Sequence, residues 1–237
     1  PDGEHLLFTS RGPGPERDAA LGEDVLVRRD LLHRKGGHRQ DGRTSHVFRV
    51  SIEGGQAQQL TQGDRDHSGL AVSPDGRWLA YVLAPAHDGG LFSIDTDVWV
   101  QPLDGAADGA RKVTDNPGPD HGPVFSPDGS GLLTRSIFEE GYESGRTRLV
   151  VWDLAGGPAV ELTEGYDRTI RHATFSADGR HVLALALDEG ERRLVQMSAA
   201  RPGPVTALTS GATLWSFDVA ARTGALVVER INSYPGL

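Results

Sequence analysis

The sequence predicts an all-β protein built from β-propeller blades of four antiparallel strands each. Two landmarks recur in a fixed order and carry this prediction. The first is a Pro/Ala-Asp-Gly turn, which begins at Pro1, Pro74, Pro127 and Ala177. The second is a Leu/Val-Thr dipeptide, which ends the successive units at Thr61, Thr114, Thr163 and Thr209. Units of about 40–50 residues with four strands are typical of propellers.

The turn at 73–76, Ser-Pro-Asp-Gly, shows why the first landmark forms a hairpin. Proline holds φ near about −65°, aspartate caps the turn and glycine accepts a positive φ. The flanking segments, 69–72 and 78–82, are rich in apolar, β-branched or aromatic residues, as half-buried strands require. They are the predicted first and second strands of one blade.

The landmarks divide the chain into five units. Their predicted limits are about 1–61, 66–114, 120–163, 170–209 and 212–237. The predicted third strands lie between the landmarks, at 46–50, 97–101, 148–152 and 193–197. The first unit lacks its first strand and the fifth ends after its second. We therefore expect three full and two partial blades, an incomplete ring, and a larger parent protein of seven blades whose remaining part closes the ring.

Composition excludes several classes of partner. The chain has 237 residues and a formal charge of −9, which argues against nucleic acid. No apolar run approaches the roughly 18 residues of a membrane span, so no membrane partner is expected. No cysteine is present and no phosphate-binding glycine loop is visible, so we expect no cofactor. The residues leave the compartment open, and a cytoplasmic location is the expectation.

The repeats resemble the propellers of TolB-type proteins and of serine peptidases of the prolyl oligopeptidase family. The segments that carry the resemblance are "SPDGRWLAYV", "DVWVQPLDG" and "RKVT". The resemblance of the first unit is more specific than that of the repeats. Its arginine-rich strand, glycine-rich connection and "LTQGDRDHS" motif, all within 25–82, look like the acylaminoacyl-peptidase-like branch. The final "RINSYPGL" is similar to the stretch before the last propeller strands of that branch.

The resemblance implies that this chain is the non-catalytic part of a peptidase. In that family an α/β-hydrolase domain carries a serine on a G-x-S-x-G elbow. No serine of this chain has glycine two residues before and two after it. The implied role is to gate access and to position a short or N-acylated peptide for the hydrolase domain of the same parent, which can be a homo-oligomer. The alternative is a TolB-like scaffold that binds proteins without any enzymatic activity.

The connections between second and third strands hold the candidate binding residues. In the first unit this connection contains Arg28, Arg29 and Arg34, followed by Arg39 and Arg43. Guanidinium groups bind carboxylates through two parallel hydrogen bonds, so these arginines are candidates for holding a peptide's C-terminal carboxylate. Arg28 and Arg29 are the strongest of these candidates because they lie in the more strand-like part of the connection. The alternative is a solvated loop.

Glu139 and Glu140 form a second candidate, in the connection of the third unit. By resemblance to related peptidases, a glutamate pair facing a cleft binds a peptide's α-amino group. The pair precedes a polar Gly-Tyr-Glu-Ser-Gly segment. A solvated hairpin tip is therefore the stronger alternative.

Two further sets of residues are interpreted as structural. The pairs Asp66-His67 and Asp120-His121 are assigned to the same repeat position, with Arg171-His172 as their counterpart. Equivalent positions on neighbouring blades lie too far apart to bind one metal ion, so no metal site is expected. These side chains are instead predicted to satisfy backbone groups or to line the central tunnel of the propeller. The four tryptophans, Trp78, Trp99, Trp152 and Trp215, are predicted to pack within or between blades.

Overall fold

The computed structural model describes residues 3–12, 43–85, 93–104, 109–142 and 144–231. These residues form seventeen strands and no long helix. The strands are β1 (His5–Arg11), β2 (Ser45–Ser51), β3 (Gln58–Gln59), β4 (His67–Val72), β5 (Trp78–Leu83), β6 (Asp97–Pro102), β7 (Arg111–Lys112), β8 (Asp120–Phe125), β9 (Gly131–Ser136), β10 (Arg148–Asp153), β11 (Val160–Glu161), β12 (Ile170–Phe175), β13 (His181–Asp188), β14 (Glu191–Ser198), β15 (Thr206–Ala207), β16 (Leu214–Val219) and β17 (Leu226–Arg230). The described residues include no helix long and apolar enough to cross a membrane.

The strands form five antiparallel sheets in which hydrogen-bonded neighbours follow one another along the chain. The first sheet contains β1–β3, the second β4–β7, the third β8–β11, the fourth β12–β15 and the fifth β16–β17. This arrangement confirms the prediction of four-stranded blades, three complete and two partial. The predicted limits of the third strands are accurate to two residues.

The Ser-Pro/Ala-Asp-Gly turns share one hydrogen-bond pattern. In each turn the serine hydroxyl donates to the aspartate two residues later, at 2.5–2.6 Å. The same hydroxyl accepts a bond from the backbone N–H five residues later, at 2.9–3.0 Å. The hydroxyl of Ser73 lowers the pKa of Asp75 to about 2, with help from Arg77. The glycine takes a φ of +69° to +74°, which explains its presence at Gly76, Gly129 and Gly179.

The recurring threonine fastens the short fourth strand to the third. Its hydroxyl accepts a hydrogen bond from a backbone N–H of the preceding long strand, at 2.9–3.1 Å, in all four sheets. The donors are Val47, Val98, Leu149 and Leu194. Thr61, Thr114 and Thr163 are buried, so their hydroxyls satisfy N–H groups that water does not reach. The second landmark of the sequence therefore has a direct structural cause.

The hydrophobic core consists of layers between consecutive sheets. Val47 and Leu60 of the first sheet pack with Leu79 and Tyr81 of the second. The same arrangement joins the second sheet to the third, the third to the fourth and the fourth to the fifth. Face-to-face packing of successive sheets is the geometry of propeller blades.

The tryptophan prediction is right in part. All four tryptophans lie in strands, and Trp152 is buried with its indole N–H donating to Thr134 Oγ1 at 2.8 Å. Trp215 is 57% exposed but packs between blades, with the guanidinium of Arg192 4.8 Å from its ring centre. Trp99 is partly buried and packs in the layer between the first and second sheets. Trp78 is 37% exposed where β5 begins, and its packing stays a prediction.

The two outermost sheets expose apolar side chains. β17 carries Leu226, Val227 and Val228, all more than 40% exposed. In the first sheet, Leu6 of β1 is 58% exposed. Among the described residues, no strand pairs with the outer side of β1 or of β17. Within the described part of the chain, the outer edge of β17 therefore presents backbone groups without a strand partner beside an apolar face.

Candidate functional site

The long connections of the first three units all begin and end at the same end of the sheets. Because the strands alternate in direction, each second strand ends where the third begins, and the first strand also begins there. We call this the insertion end. The Ser-Pro/Ala-Asp-Gly turns lie at the opposite, turn end. The candidate binding residues are predicted in these connections, so the insertion end is the part of the fold that bears on them.

Hydrogen bonds tie the beginnings of three first strands, β4, β8 and β12, to the preceding sheet at the insertion end. The Asp66 carboxylate accepts bonds from the backbone N–H and hydroxyl of Ser45, at 2.8 and 2.9 Å. The Asp120 N–H donates to the Thr96 carbonyl at 2.8 Å. The Ile170 N–H donates to the Thr147 carbonyl at 3.1 Å. This part of the site is consequently held in place by neighbouring sheets and not by the insertions alone.

The predicted arginine candidates fall outside the described residues. Arg28, Arg29 and Arg34 belong to the segment 13–42, as does Arg39. Their role in binding a carboxylate stays a prediction. Arg43, at the end of that connection, is exposed.

Glu139 and Glu140 occupy different environments. Glu139 forms an ion pair with Arg148, with 3.0 Å between Oε1 and Nη2. The Arg148 guanidinium also lies 4.5 Å from the ring centre of Phe138. Glu140 is exposed, and its charge contributes to raising the pKa of Asp95. The two carboxylates are therefore not equivalent, and their role in binding an amine stays a prediction.

Three acidic residues that the sequence analysis did not group together lie between the second and third sheets. Asp95 and Asp97 stand at the end of one insertion and the beginning of β6, and Asp120 begins β8. We call these three residues the acidic cluster. Lys112 of β7 forms an ion pair with Asp97 at 2.6 Å. Burial raises the pKa of Asp95, and the charge of Asp97 adds to the effect.

Asp120 is the most buried member of the acidic cluster, with 0% of its surface exposed. Burial raises the pKa of Asp120 to about 7, opposed by the nearby hydroxyls of Ser136 and Thr114 and assisted by Asp97 and Asp95. Neither hydroxyl reaches it in normal hydrogen-bond geometry, and within the described part of the chain neither carboxylate oxygen has another partner. A buried acid in this condition is unusual and requires a physical explanation.

The strand registers correct the predicted equivalence of the Asp-His pairs. His67 pairs with Leu83, Asp120 with Ser136, Ile170 with Ala186 and Leu214 with Arg230. These partners lie five residues after the beginning of β5, β9 and β13 and four residues after the beginning of β17. His67 is thus equivalent to Asp120, and the predicted alignment with His121 is wrong by one residue. The position is buried in all four sheets and apolar in two of them. Counting six residues back from Ser73, Ser126 and Ser176 reveals this equivalence in the sequence.

His67 takes part in a buried aromatic group between the first and second sheets. Its Nδ1 lies 3.1 Å from the Ser45 carbonyl. Its ring lies 5.2 Å from the His46 ring and 5.1 Å from the Tyr81 ring. Burial lowers the pKa of both histidines, which keeps them neutral. The contacts of Asp66 and His67 with Ser45 confirm that these side chains satisfy backbone groups.

The remaining histidines at the insertion end adjoin an arginine that links two sheets. Arg135 of β9 donates from Nη1 to the Arg171 carbonyl at 2.5 Å. Burial, together with the Arg135 charge, lowers the pKa of His121 and of His172. His172 packs edge-on against Phe217, with 4.8 Å between ring centres. The described residues contain no group of three potential ligands that could hold a metal ion.

A groove of about 680 Å³ lies at the turn end, between the third and fourth sheets. Asp128, Asp178 and Arg180 line it together with Phe175. Both aspartates already accept hydrogen bonds from the serines of their own turns. The groove is thus remote from the insertion end and contains none of the candidate residues.

Comparison with known proteins finds peptidases among the relatives of this chain in sequence and among its neighbours in structure. No family model matches the chain. The chain is 27% identical over 161 residues to dipeptidyl-peptidase 5 of Porphyromonas gingivalis, a match that covers 67% of this chain and 23% of that protein. In structure it resembles Pyrococcus horikoshii acylaminoacyl peptidase, with a TM-score of 0.64, 16% identity, and coverage of 96% of this chain and 33% of that one. The chain is a propeller segment related to prolyl oligopeptidase-family peptidases.

This relation confirms the family resemblance and the all-β propeller prediction. The structural resemblance extends to a TolB protein of Agrobacterium tumefaciens, with a TM-score of 0.57, 18% identity, and coverage of 80% of this chain and 67% of that one. At this identity the structural matches show the fold alone. The chain spans about a quarter of the length of the curated relatives it matches.

Proposed function

We propose that this propeller segment gates access to a serine hydrolase domain of the same parent and positions one end of a short peptide for it. The observation that carries the proposal is the sequence relation to peptidases over two thirds of the chain. The fold supplies a suitable frame, because the long connections of three units begin and end at the same end of the sheets. Loops placed on a rigid scaffold are the usual site of substrate binding. The proposed location is cytoplasmic.

The two peptide termini call for opposite charges. A free α-amino group requires a carboxylate, and Glu140 is better suited than Glu139 because it has no comparable ion pair with Arg148. Glu139 instead stabilises the insertion through Arg148. A C-terminal carboxylate requires a guanidinium, for which Arg28, Arg29 and Arg34 remain the candidates.

The test is steady-state peptide hydrolysis by the parent protein. We expect Glu140→Gln to raise KM for peptides with a free amino terminus and to leave N-acylated peptides unaffected. We expect Arg28→Ala and Arg29→Ala to raise KM for peptides with a free carboxylate. Loss of a hydrogen bond to a charged group costs about 1.5–3 kcal/mol, which corresponds to about a 10- to 100-fold change.

Arg180→Ala provides the control, because it removes an equal charge at the turn end. It should leave KM unchanged for every peptide. If Arg180→Ala changes KM as much as the variants of Glu140, Arg28 and Arg29 do, these three residues do not hold a peptide terminus.

A TolB-like protein-binding scaffold is the second candidate, favoured by the structural resemblance to TolB. It predicts a parent that hydrolyses no peptide and that still captures a protein partner. The long insertions favour the peptidase, because a scaffold of short regular blades does not require them.

A further inference from the structure

The acidic cluster presents a physical problem that is independent of the proposed peptidase role. Asp120 occupies a repeat position where Ile170 and Leu214 stand in the fourth and fifth sheets, both at most 3% exposed. The position is buried in all four sheets that have it, and no other sheet places an acid there. An ionised carboxylate placed there without a hydrogen-bonded partner pays a large cost in lost hydration.

The charges that face Asp120 increase this cost. Asp97 of β6 and the preceding Asp95 both act to raise its pKa. Glu140 of the neighbouring insertion adds negative charge beside Asp95. Lys112 is the one cation near the cluster in the described part of the chain, and it lies against Asp97.

The other ionisable groups on the elements around β8 are engaged elsewhere. His67 of β4 and Tyr81 of β5 contact one another. Arg135 of β9 binds a carbonyl of β12. His172 of β12 packs on Phe217. His121, on β8 itself, approaches the Thr96 hydroxyl at 3.5 Å and has its pKa lowered, so it is neutral. None of them supplies a positive charge to Asp120.

We propose that Asp120 is a proton-binding site and that its ionisation weakens the packing of the second sheet against the third at the insertion end. The neutral carboxyl carries no charge to repel Asp97 and Asp95, and its burial costs less lost hydration than that of the carboxylate. When the proton leaves to water, the repulsion and the larger cost return. The chain thus carries a proton-dependent contact beside its candidate binding surface.

The pH dependence follows from the direction of the shift. The pKa of Asp120 is raised in the folded protein to about 7, above its unfolded value. The stabilisation is complete below the unfolded pKa and is lost as pH rises through about 7. The buried histidines have lowered pKa values and act in the opposite direction, since their contribution is lost as pH falls. The difference between matched variants therefore isolates Asp120.

The experiment is urea unfolding of the wild type and of Asp120→Asn at about pH 5.5 and about pH 8.5. Asparagine copies the shape of the neutral acid without its titration. Between these two pH values, the folded-to-unfolded ratio of the wild type should fall by roughly thirtyfold more than that of the variant. Asp128→Asn is the control, because the pKa of Asp128 is lowered and it does not titrate in this range. Its folded-to-unfolded ratio should change between the two pH values by the same factor as that of the wild type.

The same dependence in the wild type and Asp120→Asn would overturn the proposal. Asp120→Ile offers a second variant, which restores the residue type of the fourth sheet and should also remove the dependence. A third measurement needs no variant. The carboxyl carbon of Asp120 in the wild type should change its chemical shift near pH 7, and a midpoint near pH 4 would contradict the proposal.

Discussion

At the scale of single residues, the repeat is defined by polar side chains that satisfy backbone groups. The serine and aspartate of each turn and the threonine after each fourth strand do this at matched distances in successive sheets. Each of these residues is short, and each bonds a backbone group that the strand ladder leaves unpaired. The sequence landmarks recur because the same backbone groups must be satisfied in every unit.

The threonine contact can be tested by one pair of substitutions. Thr163→Val keeps the shape of the side chain and removes the acceptor of the buried Leu149 N–H. We expect it to lower the free energy of unfolding by about 1–3 kcal/mol, the cost of an unsatisfied buried donor. Thr206→Val makes the same change at an exposed position of β15 and should cost less than about 0.5 kcal/mol. Urea unfolding measures both, and equal effects would contradict this role.

Sequence reasoning located the repeat but not its register. The turns and threonines recur as motifs in the sequence, so the strands could be placed to within two residues. The one-residue error in aligning His67 arose because the pairs Asp66-His67 and Asp120-His121 look alike, whereas the strand pairing decides which residue enters the core. A bulge follows this position in all four first strands, and it shifts side chains between faces. The buried carboxylate of Asp120 could not be identified without that register.

At the scale of elements, the insertions and the outermost strands differ from the regular sheets. The connection between β13 and β14 is a two-residue turn, whereas the other connections at the insertion end are longer. Arg146 and Arg148 anchor the third unit's insertion through Glu139 and Glu161. Ion pairs of this kind were not predictable from the sequence, because they depend on which side chains the loop brings back to the sheet.

In the 237-residue chain studied by itself, the edge strand β17 should promote self-association, because the rest of the predicted fifth blade is not there to pair with it. Val227 is 69% exposed on a strand whose outer side is unpaired within the described residues. Exposed apolar edges pair with other chains, and a lysine on the edge opposes this. We expect Val227→Lys to increase the monomeric fraction of the chain in sedimentation velocity. Arg222→Lys, in the preceding turn, is the control and should change nothing; an unchanged monomeric fraction in Val227→Lys would show that β17 is not the associating edge.

At the scale of the whole molecule, the five sheets share one architecture, and their two ends differ from each other. The turn end repeats closely in sequence and in hydrogen bonds. The insertion end varies from unit to unit and contains the acidic cluster, the Glu139–Arg148 pair and the buried histidines. A constant frame with one variable end is the arrangement expected of a domain that works against a partner at that end. The sequence predicted that the candidate residues lie in the connections between second and third strands, and the strand pairing shows that these connections begin and end at one end of the sheets.

The central claim is that this propeller is the non-catalytic part of a serine peptidase. Its most direct test is labelling of the parent protein with a fluorophosphonate, which reacts with activated serines, followed by mass spectrometry of the labelled peptide. The account predicts one labelled serine in the parent, outside the 237 residues of this chain, and no labelling of the chain alone. A labelled serine within the chain, or a parent that is not labelled under conditions where it is folded, would contradict it.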